Sequence, residues 1–151
     1  MIDKHPQNRH VDSIHGVDEN RIRIIAQWIK NHPRLPAYID NPDFRATTRR
    51  PDQFTPSAVL IPVIKRSELS LLFTHRADHL PNHAGEISFP GGKLDADDAS
   101  LIATALRETE EELGIKSEHI ETLATLPTVK VLSGFEITPV LGLVCPSAHL
   151  Q

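Results

Sequence analysis

Three carboxylates in this chain are spaced for metal chemistry. Glu108, Glu111 and Glu112 stand at i, i+3 and i+4. On a helix of 3.6 residues per turn they gather on one face, while Glu110 points elsewhere. Like charges on one turn repel, and near a helix C-terminus the backbone dipole disfavours anions as well. A cation must neutralise such a group, and clustered hard oxygen ligands suit Mg2+ or Mn2+. An acidic run alone is by default a solvated helix face. Here the context differs: Arg107 precedes the run, Leu113-Gly114-Ile115 ends it, and Gly91-Gly92 lies upstream.

The elements that must hold these residues can be read from hydrophobic spacing. A helix is predicted over residues 99–113, with Asp97 or Asp98 as its N-cap and Gly114 just past its end. Its Ile102, Ala105, Leu106, Thr109 and Leu113 fall on one stripe, the side expected to pack on a sheet. Apolar runs predict strands at 58–64, 69–76, 121–126 and 135–144. A short strand at 86–89 is closed by Pro90-Gly91-Gly92, and Arg66-Ser67-Glu68 and Ser133-Gly134 suit turns. A second helix is predicted over 18–30, where Ile22, Ile24, Ile25, Trp28 and Ile29 recur near helical spacing and Pro33 stops it. Residues 1–17 are polar and aperiodic and read as a mobile arm. Residues 31–56 read as a long connection. The class is α+β, with an N-terminal arm, helix and connection over 1–56 and the main domain over 57–151.

The whole composition sets limits. With 151 residues, 16 Lys plus Arg against 20 Asp plus Glu, and a formal net charge of −4, one packed core is expected, and nothing points to nucleic acid or an anionic membrane as partner. A single cysteine, Cys145, excludes an internal disulfide and any cysteine-cluster metal site. No apolar run approaches the roughly 20 residues that span a bilayer, and residues 1–13 lack the apolar core of a signal peptide. The expectation is a soluble, cytoplasmic protein.

Residues 92–115, GKLDADDASLIATALRETEEELGI, resemble the Nudix box. Arg107, Glu108, Glu111, Glu112, Gly114 and Ile115 match in register, with Thr109 at the hydrophobic place. Counting from Gly92, Asp98 takes the acidic place, and the spacer to Arg107 is one residue longer than usual. The coenzyme A pyrophosphatase branch of the family has such a box. Residues 71–92 resemble the motif that precedes the box in that branch: Arg76, Gly85, Phe89, Pro90, Gly91 and Gly92 match. A second arginine of the motif is replaced by Pro81. Residues 127–144, with Ser133-Gly134-Phe135 and Thr138-Pro139-Val140, also resemble it.

The resemblance covers about residues 57–146. It implies a Nudix-type α/β/α sandwich with a mixed β-sheet. It also implies metal-dependent hydrolysis of the pyrophosphate bond of coenzyme A or its acyl derivatives, giving 4′-phosphopantetheine and adenosine 3′,5′-bisphosphate. Glu108, Glu112 and Glu111 would hold Mg2+ or Mn2+, which neutralises phosphate oxygens and makes water more acidic. Glu111 is the first choice for a general base, and Arg107 is placed to orient a glutamate. Arg76, Gly85, Phe89, Gly91 and Gly92 form the expected substrate-binding set. Pro81 keeps open another nucleoside diphosphate substrate. Family members continue for several tens of residues beyond the place of Gln151. By the resemblance the chain reads as a C-terminally truncated or degenerate member, or as one whose missing layer is supplied by the N-terminal helix or by a partner chain, the last giving a homodimer. A non-catalytic remnant is the alternative from another class.

Three other features carry less. His75, His79 and His83 have zinc-like helical spacing, but Pro81 lies among them and argues for a loop. Cys145 reads as a buried free thiol. Trp28 reads as a core or interface anchor.

Overall fold

The computed structural model of the chain describes residues 8–32, 53–75, 87–131 and 133–146. The architecture follows from two long apolar strands laid side by side. β2 (Thr55–Lys65) and β8 (Phe135–Val144) run parallel, in register from Thr55 opposite Phe135 to Ile64 opposite Val144. Their side chains are apolar in both directions, so both faces must be covered. The eight-stranded sheet has the order β1-β3-β2-β8-β6, where β1 is Asn8–Ser13, β3 is Leu69–His75 and β6 is Ile120–Thr125. Three short strands extend it. β4 (Ile87–Ser88) pairs with β3, β5 (Gly91–Lys93) with β2, and β7 (Val129–Lys130) with β8. All pairs except β2 with β8 are antiparallel. The sheet is therefore mixed.

Alternation along the strands sorts the core into two layers. On one face Ala58, Leu60, Ile64, Leu72, Val140 and Val144 meet Ala105 and Leu113 of α2 (Leu101–Leu113), with Leu101, Ile102 and Leu106 at the margin. On the other, Val63, Leu69, Leu123, Ala124, Leu141 and Leu143 meet Ile22, Ala26 and Ile29 of α1 (Glu19–Asn31). The result is an α/β/α sandwich of α+β class, as expected. The N-terminal helix is the second layer, and polar contacts fasten it. Arg23 is forked onto Glu121 at 2.6 Å through both amino groups, and Lys65 pairs with Glu19.

Several sequence expectations are corrected. Residues 8–13 are not part of a mobile arm: they pair along β3 from Asn8 opposite His75 to Ser13 opposite Ser70. The strand lacks a hydrophobic pattern because the ladder, not burial, holds it; Val11 is exposed. α2 begins at Leu101 and is capped by Ser100, whose hydroxyl accepts from the Ala103 N–H at 3.1 Å, so neither Asp97 nor Asp98 is the cap. Gly114 follows the helix at φ 71°, a left-handed position where glycine carries no Cβ penalty. Gly91 and Gly92 extend as β5 instead of forming a turn. Trp28 is not in the core. It is 49% exposed and stacks on His32 at 4.4 Å. Cys145 is exposed. Among the described residues no helix is long and apolar enough to cross a membrane.

Candidate active site

The acidic face of α2 is brought against β5 by the packing just described. Thr104, Ala105, Thr109 and Leu113 are buried under the helix. Thr109, at a position expected to be apolar, satisfies its hydroxyl by donating to the Ala105 carbonyl at 2.6 Å. Burial of that stripe turns Glu108 and Glu112 toward β5 at the helix margin and leaves Glu110 and Glu111 exposed. β5 has to be glycine here. A Cβ on Gly92 would fall onto the Glu108 carboxylate, and one on Gly91 would strike the Ala58 carbonyl and the Val59 backbone. The Gly91 N–H donates to Glu112 Oε2 at 3.3 Å. The two glycines therefore let two carboxylates sit directly on a strand.

Arg107 lies at the centre of the group. Nε and Nη2 donate to the two oxygens of Asp98 at 3.0 Å each. Nη1 donates to Glu108 at 2.9 Å and to Glu111 at 3.4 Å, and Nη2 also reaches the Lys93 carbonyl at 3.2 Å. The guanidinium holds the Asp98 carboxyl well below the usual carboxylate range; the Asp95 N–H and the Thr104 hydroxyl add to that, against burial. Arg107 is in turn pushed further up by Asp98 and then by Glu108. Asp98 is the residue that sequence reasoning underrated. It took the acidic place in the box, but a partner nine residues along the chain is not visible as a periodicity.

Three carboxylates on one guanidinium, with Glu112 held on Gly91 beside them, leave an excess of negative charge, and the side-chain ligands facing β5 are hard oxygens. That chemistry fits a divalent cation. Among the described residues, no three His, Cys, Asp or Glu side chains already converge as a closed cage. An open arrangement suits Mg2+, which is commonly held by one or two carboxylates together with waters and substrate oxygens.

Of the expected substrate-binding residues, Gly91 and Gly92 lie against the carboxylates, and Phe89 stacks on Phe73 at 4.8 Å between ring centres. Arg76 and Gly85, with Pro81, His79 and His83, lie outside the described residues. His75 ends β3 rather than a helix. Lys93 leans over the Phe135 ring, 5.6 Å from its centre, and Lys130 over Phe54 at 4.9 Å.

A mixed sheet between two helices, with a glutamate-bearing helix seated on a Gly-Gly strand, defines the kind of protein. The NUDIX domain model matches residues 54–147, and the chain belongs to the Nudix family. Members of that family generally use divalent metal ions and act on small nucleoside diphosphate derivatives. Among curated relatives, the "Uncharacterized Nudix hydrolase NudL" of Citrobacter koseri is 50% identical over 93 residues, which cover 62% of this chain and 48% of the relative. The protein of that name from Yersinia pestis is 52% identical over 101 residues, covering 67% and 48%. The chain thus spans about half the length of these relatives. Among solved structures, a Nudix hydrolase from M. smegmatis, RenU, matches with a TM-score of 0.53 at 20% identity, over 64% of each chain. A C. elegans Ap4A hydrolase in a binary complex matches with a TM-score of 0.51 at 19% identity, over 64% of this chain and 71% of that one. At such identity the likeness is one of fold.

Proposed function

We propose that the chain forms the Nudix portion of a metal-dependent hydrolase that splits the pyrophosphate bond of coenzyme A or its acyl derivatives, yielding 4′-phosphopantetheine and adenosine 3′,5′-bisphosphate. The observation that carries this reading is the meeting of the carboxylate face with Gly91 and Gly92. Those glycines end the Phe-Pro-Gly-Gly segment of the motif that resembles the coenzyme A branch. Glu108 and Glu112 are the residues assigned to hold Mg2+ or Mn2+, with Glu111 beside them. The ion, when bound, neutralises the diphosphate and lowers the pKa of coordinated water.

The remaining steps belong to the chain. Glu111 is the most exposed of the three carboxylates and is assigned as general base, taking a proton from the attacking water. The water oxygen bonds to phosphorus, and the bridging P–O bond breaks with its electron pair leaving on the second phosphate. Arg107, with its donors committed to carboxylates and to the Lys93 carbonyl, orients Glu108 and Glu111 rather than touching substrate. Arg76 and Gly85 are assigned to the nucleotide's phosphates on the resemblance alone, and Phe89 to the wall beside them.

Comparing kcat/KM across coenzyme A, acyl-coenzyme A, ADP-ribose and dinucleoside polyphosphates tests the reading. Coenzyme A compounds should lead, and a clear preference for ADP-ribose would sink it. A second reading, hydrolysis of another nucleoside diphosphate compound, is favoured by one observation: Pro81 stands where the motif has an arginine. Under the first reading, Pro81→Arg should tighten coenzyme A binding by about 1–3 kcal/mol, the range of a charge-assisted hydrogen bond.

A further inference from the structure

We propose that His75 is a specificity residue that hydrogen-bonds the nucleobase of the substrate; this rests on the hydrolase reading above. The imidazole Nδ1 of His75 is buried and has no hydrogen-bond partner. A polar atom buried unpaired costs stability, and native chains rarely leave one so. Since the chain itself supplies no partner, a bound molecule accounts for the nitrogen. The residue as a whole is only partly buried. A half-turn about χ2 exchanges Nδ1 with the carbon on the other edge of the ring, and that torsion is soft. A ligand can therefore draw the nitrogen from the closed edge of the ring to the open one.

The surroundings of His75 say which part of a substrate it meets. Leu71, Phe73 and His75 alternate along β3 with the buried Leu72 and Thr74, so they share one face of the sheet. The layer under α1 includes Leu71 but neither Phe73 nor His75. Phe73 stacks on Phe89, and both rings are only partly buried. Ile87, opposite His75 in the ladder, is 53% exposed. Flat apolar rings beside a single polar nitrogen suit a heterocycle, which stacks through its face and hydrogen-bonds through its edge.

β4 and β5 connect this platform to the carboxylates. They pair with β3 and with β2, and not with each other. Because β2 and β3 are themselves antiparallel, the chain must reverse between β4 and β5. It does so at Pro90, whose carbonyl accepts from the Leu60 N–H at 2.8 Å. The sheet is therefore split, with His75 and Ile87 on one arm and Gly91-Gly92-Lys93 on the other. Ile87 and Lys93 each lie three residues from Pro90, about 10 Å of extended chain. Glu108 and Glu112 sit against the second arm. A diphosphate held at those carboxylates has its nucleoside within reach of the first.

His75→Phe removes the nitrogen and keeps a flat ring. KM for coenzyme A should rise about 5-fold or more, the factor that one hydrogen bond of ordinary strength gives, with kcat little changed. The melting temperature should hold or rise, because a buried unpaired polar atom is gone. A purely structural role would lower the melting temperature and leave KM alone. His75→Asn, which keeps a polar atom near the place of Nδ1, should bring KM back toward wild type. Inhibition by the two products locates the contact: His75→Phe should weaken inhibition by adenosine 3′,5′-bisphosphate and not by 4′-phosphopantetheine. If His75→Phe fails to fold, His75→Leu replaces it with the same expectation for KM. Wild-type KM in the variant that folds, or weakened inhibition by 4′-phosphopantetheine alone, would overturn the proposal. If titration calorimetry shows that the wild type binds coenzyme A and the variant binds it more weakly, but nothing is cleaved, the hydrolase reading fails and the contact stands. If the wild type does not bind coenzyme A, the proposal falls, and Mn2+ titration alone then judges the metal site.

Discussion

At the scale of single residues, the site depends on contact between carboxylates and glycine backbone. Gly92→Ala places a methyl group where the Glu108 carboxylate sits. Either Glu108 or β5 must move, and Mn2+ affinity should drop while the helix content measured by circular dichroism stays near wild type. Glu112→Gln keeps shape and loses one charge; unchanged Mn2+ affinity in that variant would remove Glu112 from the metal set. Asp98 makes the pH dependence explicit. Its carboxyl titrates lower in the folded chain than its ordinary value of 3.8, chiefly because Arg107 hydrogen-bonds the ionised form. It therefore contributes stability that is fully present above about that value and is lost as the pH falls toward the depressed folded value. Melting temperatures of wild type and Asp98→Asn should differ by a constant amount from neutrality down to mildly acidic pH and converge below it.

The glutamate face was legible because it is local. Three residues within one helical turn are read directly from spacing, and the same holds for Gly114 as the helix stop. The partners were not legible. Asp98 meets Arg107, and Gly92 meets Glu108, across distances set by how α2 lies on β5, which no periodicity encodes.

At the scale of elements, α1 (Glu19–Asn31) behaves as part of the sandwich. The predicted helix is present, and so is its covering role. The buried stripe, however, is Ile22, Ala26 and Ile29, whereas Ile25 and Trp28 face outward. An alanine among isoleucines hid the phase of the stripe. Ile29→Ala should cost about 2 kcal/mol or more, since a nearly buried side chain is removed from a packed layer. Removing residues 1–32 uncovers Val63, Leu123, Leu141 and Leu143 together, and aggregates should then appear in size-exclusion chromatography with light scattering. Ser100→Ala, which deletes the cap of the helix that carries the site, should cost about 1 kcal/mol. β1 stayed hidden in the sequence because backbone pairing along β3, not side-chain burial, makes it a strand. β7, two residues long, is likewise too short to leave a pattern.

At the scale of the whole molecule, Trp28 is the chain's one tryptophan, and it sits outside the core with Ile24 and Ile25 also exposed. Its fluorescence should be solvent-like and open to acrylamide in the folded state, with little further shift on unfolding. A strongly blue-shifted, protected signal at high concentration would instead report self-association through α1, the homodimer that the sequence left open as one alternative. The order of the strands has a different consequence, for biosynthesis. β8 is the last of the described strands to leave the ribosome, yet it lies inside the sheet, between β2 and β6. Residues 55–64 wait for residues 135–144. Until then β2 has one neighbourless edge, and β6 has no strand to join. Pairings so distant in sequence form slowly, and such exposed edges are what holding chaperones bind. The nascent chain should therefore stay protease-sensitive until Val144 has emerged from the ribosome and become resistant thereafter, when one strand joins the two halves of the sheet.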